Sequence, residues 1–172
     1  MRNSHAKTKK ASLVRLRWIY GLVCLIVMEA IFFFSAMPAK ESAKVSGRIT
    51  ETAVRIVYPE YQKLPEQQQK GAYRLMEHIV RKSAHFFEYM ILSAMVTLLL
   101  STFPLRFHSF LAWLFTSLYA ATDEWHQAFI DGRGPMLRDV LIDSAGAATG
   151  ILLIVLIRFI YRKTRREDNQ QG

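Results

Sequence analysis

Polar residues able to do chemistry occur in three short stretches that adjoin strongly apolar segments. The first, RKSAHFFEYMIL, contains Lys82, His85 and Tyr89 at spacings of three and four, so these side chains share one helix face. Glu88 follows His85 by three residues. A histidine held beside carboxylates can act as a general acid or base. This stretch therefore predicts a polar binding or proton-transfer site at the start of a helix.

The other two stretches, DEWHQAF and RDVLIDSAGAATG, contribute the carboxylates. Glu124 and Gln127 lie three residues apart at a helix end. One face of the following helix carries Asp139, Asp143, Gly146 and Gly150. The carboxylates could hold water or a divalent cation, although the spacing is not a zinc signature. The chain has no P-loop, nucleophile elbow or HExxH motif. The two glycines are interpreted as close helix packing.

The elements that position these residues are predicted to be membrane helices. The chain is 51% hydrophobic yet has a net charge of +9, because its apolar residues fall in four blocks. A helix needs about 20 apolar residues to cross the hydrocarbon core, and a soluble helix would show a polar face. We therefore predict an all-α polytopic membrane domain over 18–161. Its four transmembrane helices are expected at 18–37, 84–103, 107–122 and 139–159.

Basic residues at both ends predict the topology. The tails at 1–17 and 162–172 are dense in lysine and arginine, so the positive-inside rule places both termini in the cytoplasm. These tails are interpreted as topology signals and anionic-lipid contacts rather than nucleic-acid arms. The loops at 38–83 and 123–138 then face outward. The single cysteine, Cys24, cannot form an internal disulfide.

The outer loop at 38–83 is predicted to contain an amphipathic helix. Val45, Ile49, Ala53 and Ile56 recur at intervals of four, four and three, which places them on one face. Two interpretations stay open for this helix: it lies on the outer leaflet, or it packs on the bundle. A second helical run at 67–83 is expected to continue into the second membrane helix.

The three polar stretches should meet at one depth near the outer surface. A charge at the centre of a membrane helix costs about 2.5–3.5 kcal/mol, so charges in one layer must be paired, wet or bound to something. Arg133 and Lys82 are expected to neutralise two carboxylates. Taken singly, His85 could be an interhelical hydrogen-bonding residue, Glu88 could face headgroups and Asp123 could be a solvated helix-end group. Residues interpreted as interface or turn formers are Trp125, His126, Gly132 and Gly134.

The combined motif resembles the VanZ-like family of bacterial membrane proteins over roughly residues 30–157. The matching positions are Lys82, His85, Tyr89, Asp123, Glu124, Gln127, Gly132, Arg133, Asp139, Val140, Asp143, Gly146 and Gly150. Ser35, Ser42 and Ser46 resemble the serines that follow the family's first helix. Asp131 departs from the pattern, which has a proline-glycine before the arginine, and FSAM stands where many members have Ser-Ser-Gln. The resemblance implies a bacterial plasma-membrane location and a link to resistance against teicoplanin, a lipid-tailed glycopeptide.

Three function classes follow. The first is a binder of a lipid headgroup, a lipid-linked cell-wall precursor or a lipoglycopeptide, with no nucleic-acid partner. The second is an envelope enzyme acting on a lipidic substrate, and the third is an accessory protein whose polar layer only joins helices. Candidate catalytic residues are His85, Glu124 and Asp139. Candidate binding residues are Lys82, Glu88, Tyr89, Asp123, Gln127, Arg133 and Asp143.

Overall fold

The part of the chain that the structure describes consists of helices joined by short connections. A computed structural model describes the backbone of residues 2–171 and the side chains of residues 10–169. Its elements, with one 3-10 turn at Tyr61–Lys63, are α1 Arg2–Ser35, α2 Ala39–Val57, α3 Glu66–Leu100, α4 His108–Gln127 and α5 Leu137–Gln171. The predicted all-α class is confirmed. Three basic side chains of the predicted N-terminal tail, those of Arg2, Lys7 and Lys9, lie outside the described residues.

Long apolar helices make this a multi-pass membrane protein. Three segments are long and apolar enough to cross a membrane, Lys10–Ser35, Glu66–Leu100 and Leu137–Asn169, with mean hydropathy of 2.1, 1.5 and 2.3 in their most apolar windows. Helix α4 is not among them, because its last turn is polar. The predicted fourth span therefore stays a prediction.

Most helices are longer than the expected spans, although α1 ends at Ser35 and α3 at Leu100, short of the predicted 37 and 103. Helix α3 begins at Glu66 and is continuous to Leu100, which confirms that the run at 67–83 continues into the next apolar segment. Helix α4 extends to Gln127 rather than ending at 122. Helices α1 and α5 likewise include most of the predicted tails. Proline directly precedes α2 and α3, where its fixed φ and missing N–H are tolerated.

Helix α3 lies at the centre of the bundle and contacts each of the other four α-helices. Its most extensive contact is with α5. A Cβ added at Gly146 would collide with the carbonyl oxygen of Phe86, and one at Gly150 with that of Met90. Small residues allow helix backbones to approach closely in a membrane. These two glycines therefore set the distance between α3 and α5, and with it the distance between the polar groups that the two helices carry.

Helix α2 packs on the bundle through a face other than its most apolar one. Thr50 and Val54 are buried against α3, whereas Val45, Ile49 and Ile56 are 61%, 62% and 73% exposed. The predicted amphipathic helix is present, and its contact with α3 confirms the interpretation that it packs on the bundle. Its apolar stripe stays exposed, and its placement on the outer leaflet stays a prediction.

Candidate functional site

Asp123 is the centre of a buried hydrogen-bond network between α1 and α4. Ser35 Oγ donates to Asp123 Oδ2 at 2.8 Å. Gln127 Nε2 donates to Ser35 Oγ at 2.7 Å and to Asp123 Oδ2 at 3.2 Å. Asp123 is only 4% exposed, so the interpretation of this residue as a solvated helix-end group is wrong. It is buried because α4 continues one turn past the predicted end, which turns this carboxylate toward α1.

Arg133 is held beside this network by a tight turn. Gly132, with φ of +74°, adopts a conformation that favours glycine, and the Arg133 N–H donates to the Ile130 carbonyl at 3.0 Å. The guanidinium donates to Gln127 Oε1 and to the Phe34 carbonyl, both at 3.2 Å. Desolvation lowers the pKa of Arg133, as does nearby Arg81, but arginine remains charged at neutral pH.

Arg133 therefore does not play the expected role of a carboxylate's direct partner. Within the described residues it forms no ion pair with a carboxylate, although Asp123 and Glu124 are near enough to favour its charge. Its Nε atom is buried and has no hydrogen-bond partner among the described groups. The guanidinium is thus positioned by neutral acceptors and keeps donor capacity for another group.

Lys82 has the neutralising role that was expected of it. Its Nζ pairs with Asp139 Oδ2, which joins α3 to the first turn of α5, and both side chains are largely buried at 18% and 10% exposure. Glu124 Oε1 accepts a hydrogen bond from the Met136 N–H at 2.7 Å, just before α5 begins. Glu124 also interacts electrostatically with Asp139 and Lys82. The carboxylates of Glu124 and Asp139 thus lie in one region of the bundle.

His85 and Glu88 lie one turn further along α3. His85 Nδ1 is 3.8 Å from Glu88 Oε2, too far for a hydrogen bond, and the side chains are 12% and 28% exposed. His85 also interacts electrostatically with Lys82, Arg133 and Asp139. Its Nδ1 atom is buried without a hydrogen-bond partner among the described residues. His85 is therefore located between the Lys82 ion pair and Arg133.

We call the buried polar side chains described above, together with Tyr89 and Asp143, the polar layer. Tyr89 and Asp143 are its least exposed members. They are 0% and 2% exposed. The Tyr89 hydroxyl interacts with Asp123 and Asp143, but makes no hydrogen bond of ordinary geometry within the described chain. Asp143 Oδ1 is likewise unpaired there. Buried polar atoms normally have hydrogen-bond partners, so these atoms keep the capacity to bond to a group outside the described chain.

A groove between α2 and α3 reaches this layer from the side. We call it the α2–α3 groove; it has a volume of about 180 Å³. Its apolar lining comes from Phe34, Met37, Val45, Ile49, Val80 and Ala84. Its polar lining comes from Ser42, Ser46, Arg81, His85, Glu88 and Arg133. Of the sequence-predicted site residues, only His85, Glu88 and Arg133 line this groove. Lys82 lines a separate surface pocket with Arg138 and Phe86.

Sequence reasoning assigned no site role to Arg81 or to the α2 serines. Arg81 precedes His85 by four residues, so helical spacing alone could have placed it on the same face. Ser42 and Ser46 are also four apart. How close these serines lie to α3 depends on how α2 packs against it. The spacing of residues within α2 does not predict that packing.

The described side chains include no group of three or more His, Cys, Asp or Glu residues arranged to hold a metal ion. Residues 19–158 match the model of a family described as VanZ/LLP1. No curated protein and no solved structure matches the chain significantly.

Proposed function

The chain belongs to the VanZ/LLP1 family of membrane proteins, and from that premise we propose that it binds the polar headgroup of an amphiphile in the α2–α3 groove. The ligand classes that fit are a membrane lipid, a lipid-linked cell-wall precursor and a lipoglycopeptide. In this role the protein would contribute to resistance against a glycopeptide such as teicoplanin.

The observation that carries this proposal is the two-sided chemistry of the groove. Val45, Ile49 and Val80 offer an apolar wall. Arg133 brings to the same cavity a guanidinium with no ion pair among the described residues, and Arg81, which pairs with Glu77 at 2.8 Å, brings a second. Arginine matches the geometry of carboxylate and phosphate groups. An amphiphile has both an apolar chain and a polar head, so one molecule could satisfy both walls. The free apolar stripe of α2 would let that molecule enter sideways from the lipid.

The network behind the groove supports binding by keeping Arg133 in place. Gln127 and the Phe34 carbonyl orient its guanidinium, and Ser35 and Asp123 orient Gln127. A preorganised site loses less conformational entropy when the ligand binds. Asp123 and Gln127 thus act as positioning residues for Arg133.

The proposed topology has α4 as a fourth span, both termini in the cytoplasm and the α2–α3 groove at the outer surface. The 20 residues of α4 extend about 30 Å at 1.5 Å per residue, which matches the hydrocarbon core. A membrane-impermeant maleimide tests this in intact cells carrying Cys24→Ser. Cysteine introduced at the exposed Gln62 should be labelled, and cysteine at the exposed Arg165 should be protected. The reverse pattern would contradict the topology.

The binding role is tested by teicoplanin susceptibility in a host that lacks this gene. The host is complemented with wild type, Arg133→Gln or Arg48→Gln, and immunoblots of the membrane fraction confirm equal levels. Arg48 is an exposed arginine of α2 that does not line the groove, so it is the matched control. We expect Arg133→Gln to lose the wild-type phenotype and Arg48→Gln to retain it. Full activity of Arg133→Gln would overturn the proposal.

A membrane-embedded enzyme is the second candidate, favoured by His85 and Glu88 on the groove wall. His85 Nδ1 is free of hydrogen bonds in the described chain, so His85 could exchange a proton with a bound lipidic substrate. Glu124 and Asp139 are less suited to direct catalysis, because a backbone N–H and Lys82 engage them. Lipid extracts from cells with wild type and His85→Gln separate the two candidates. Turnover predicts a changed lipid product in the variant, whereas binding alone predicts none.

A further inference from the structure

A second groove lies at the opposite end of the bundle from the polar layer. It is bounded by α1, α3 and α4, has a volume of about 630 Å³, and we call it the α1–α4 groove. Its lining is almost entirely apolar and includes Trp18, Gly21, Met28, Leu100 and Phe115. Helices α1 and α4 make few contacts with each other, which leaves the groove between them.

The length of this groove corresponds to one leaflet of a membrane. Along α1 it runs from Trp18 to Met28, a rise of about 15 Å at 1.5 Å per residue. Half of a hydrocarbon core is also about 15 Å thick. At its deep end the Tyr119 hydroxyl donates to the Met28 carbonyl at 2.8 Å, which joins α4 to α1 there. A single acyl chain therefore matches the depth and the chemistry of the groove.

Arginines surround the other end of the groove. Arg17 donates to the Thr102 carbonyl at 2.7 Å and lies over the Phe103 ring at 4.1 Å, immediately beyond the lining residue Leu100. Arg158 donates to Ser101 Oγ at 2.7 Å. Arg106 follows in the same connection between α3 and α4 and is exposed.

These arginines lack a paired carboxylate among the described residues. In the part of the chain that the structure describes, none of Arg17, Arg106 and Arg158 forms an ion pair. The carbonyl end of α3 attracts positive charge, but it contributes only about half of an elementary charge. Positive charge is therefore left uncompensated at this end of the groove.

We propose that the α1–α4 groove binds one anionic phospholipid, with an acyl chain along α1 and its phosphate at Arg17 and Arg106. The charge of the headgroup complements the arginines, and the acyl chain covers apolar surface that no other part of the described chain covers. This site is separate from the α2–α3 groove and does not depend on the proposed function.

Quenching of Trp18 fluorescence by brominated lipids tests the site directly. Trp18 lines the groove and is 77% exposed, so Trp113→Phe and Trp125→Phe leave it as the only reporter among the three tryptophans. The protein is reconstituted in two preparations of vesicles that mix phosphatidylcholine with phosphatidylglycerol. The phosphatidylcholine is brominated in one preparation and the phosphatidylglycerol in the other. We expect brominated phosphatidylglycerol to compete several-fold better for the position next to Trp18.

Three variants in this background identify what produces the preference. Arg106→Gln should reduce the preference about fivefold, since a basic residue near an anionic surface contributes about 1 kcal/mol. Gly21→Leu should abolish it by filling the groove, because no atom lies within 4 Å of an added Cβ. Arg74→Gln, at an exposed arginine near the start of α3, is the control and should have no effect.

Equal quenching by the two lipids would overturn the proposal, because the groove would then hold only bulk lipid. Absence of quenching by both lipids would also overturn it and would indicate that protein covers the groove, for example a second copy of this chain. An equal loss of preference in Arg106→Gln and Arg74→Gln would assign the effect to general surface charge and would refute the site. An unchanged preference in Arg106→Gln would also refute it, because the proposed phosphate contact would then contribute nothing.

Discussion

The Lys82–Asp139 ion pair offers a sharp test of how the polar layer is stabilised. The two side chains are 18% and 10% exposed, so each charge has lost most of its hydration. Removing one partner from a buried pair typically costs about 3–5 kcal/mol, because the other charge remains buried alone. Replacing both by apolar residues often has little effect on stability. We therefore expect Lys82→Met and Asp139→Leu each to destabilise the protein by about 3–5 kcal/mol.

The double variant Lys82→Met/Asp139→Leu should recover most of that loss. Free energies of unfolding from detergent–denaturant titrations of wild type, both single variants and the double variant complete the cycle. We expect a coupling energy of about 3 kcal/mol or more, since contacting residues deviate strongly from additivity. The control is Lys70→Met, which removes a lysine from an exposed pair with Glu66 and should change stability by less than about 1 kcal/mol. Additive effects of the two single changes would refute the reasoning that burial makes this pair interdependent.

Three further changes test other contacts of the same bundle by thermal or denaturant unfolding. Gly150→Ala should destabilise the protein by about 1–3 kcal/mol, because the new methyl group would collide with the Met90 carbonyl. A variant as stable as wild type would contradict the close approach of α5 to α3. Tyr119→Phe removes the hydrogen bond between α4 and α1 and should lower the free energy of unfolding by about 0.6 kcal/mol. A loss above about 2 kcal/mol would indicate a role that this bond does not explain. Ser35→Ala removes the hydroxyl that donates to the buried Asp123 carboxylate, and should lower the free energy of unfolding by about 1.5–3 kcal/mol. An unchanged free energy of unfolding would show that the network adds nothing to stability.

Much of the fold was predictable from local patterns. The apolar blocks predicted helices, and the spacing of Val45, Ile49, Ala53 and Ile56 predicted an amphipathic helix in the outer loop, which the structure has at Ala39–Val57. The continuity of α3 from Glu66 was also predictable, because no glycine or proline cluster interrupts the run after Pro65. Helix ends were less accurate. Hydropathy placed the end of the third apolar segment at residue 122, but backbone hydrogen bonds continue through polar residues to Gln127.

The chemical identity of the polar layer was also contained in the sequence. Helical spacing alone placed Lys82, His85 and Tyr89 on one face of α3, and the family motif included Asp123 and Arg133. Spacing did not reveal which charges would meet. Lys82 pairs with Asp139 across two helices, while Arg133 is held by Gln127 and a carbonyl rather than by a carboxylate.

The sequence by itself thus determined the all-α class, the membrane character and the side-chain types available, because these depend on composition and on periodicity within single helices. Only the tertiary structure decided that Asp123 is buried, that α2 packs through Thr50 while Ile49 stays free, and that two grooves exist at opposite ends of the bundle. The physical reason is that each of these features depends on the rotation and approach of helices distant in sequence. The glycines of α5 set one such distance, but no pattern within a single helix reports the partner it will face.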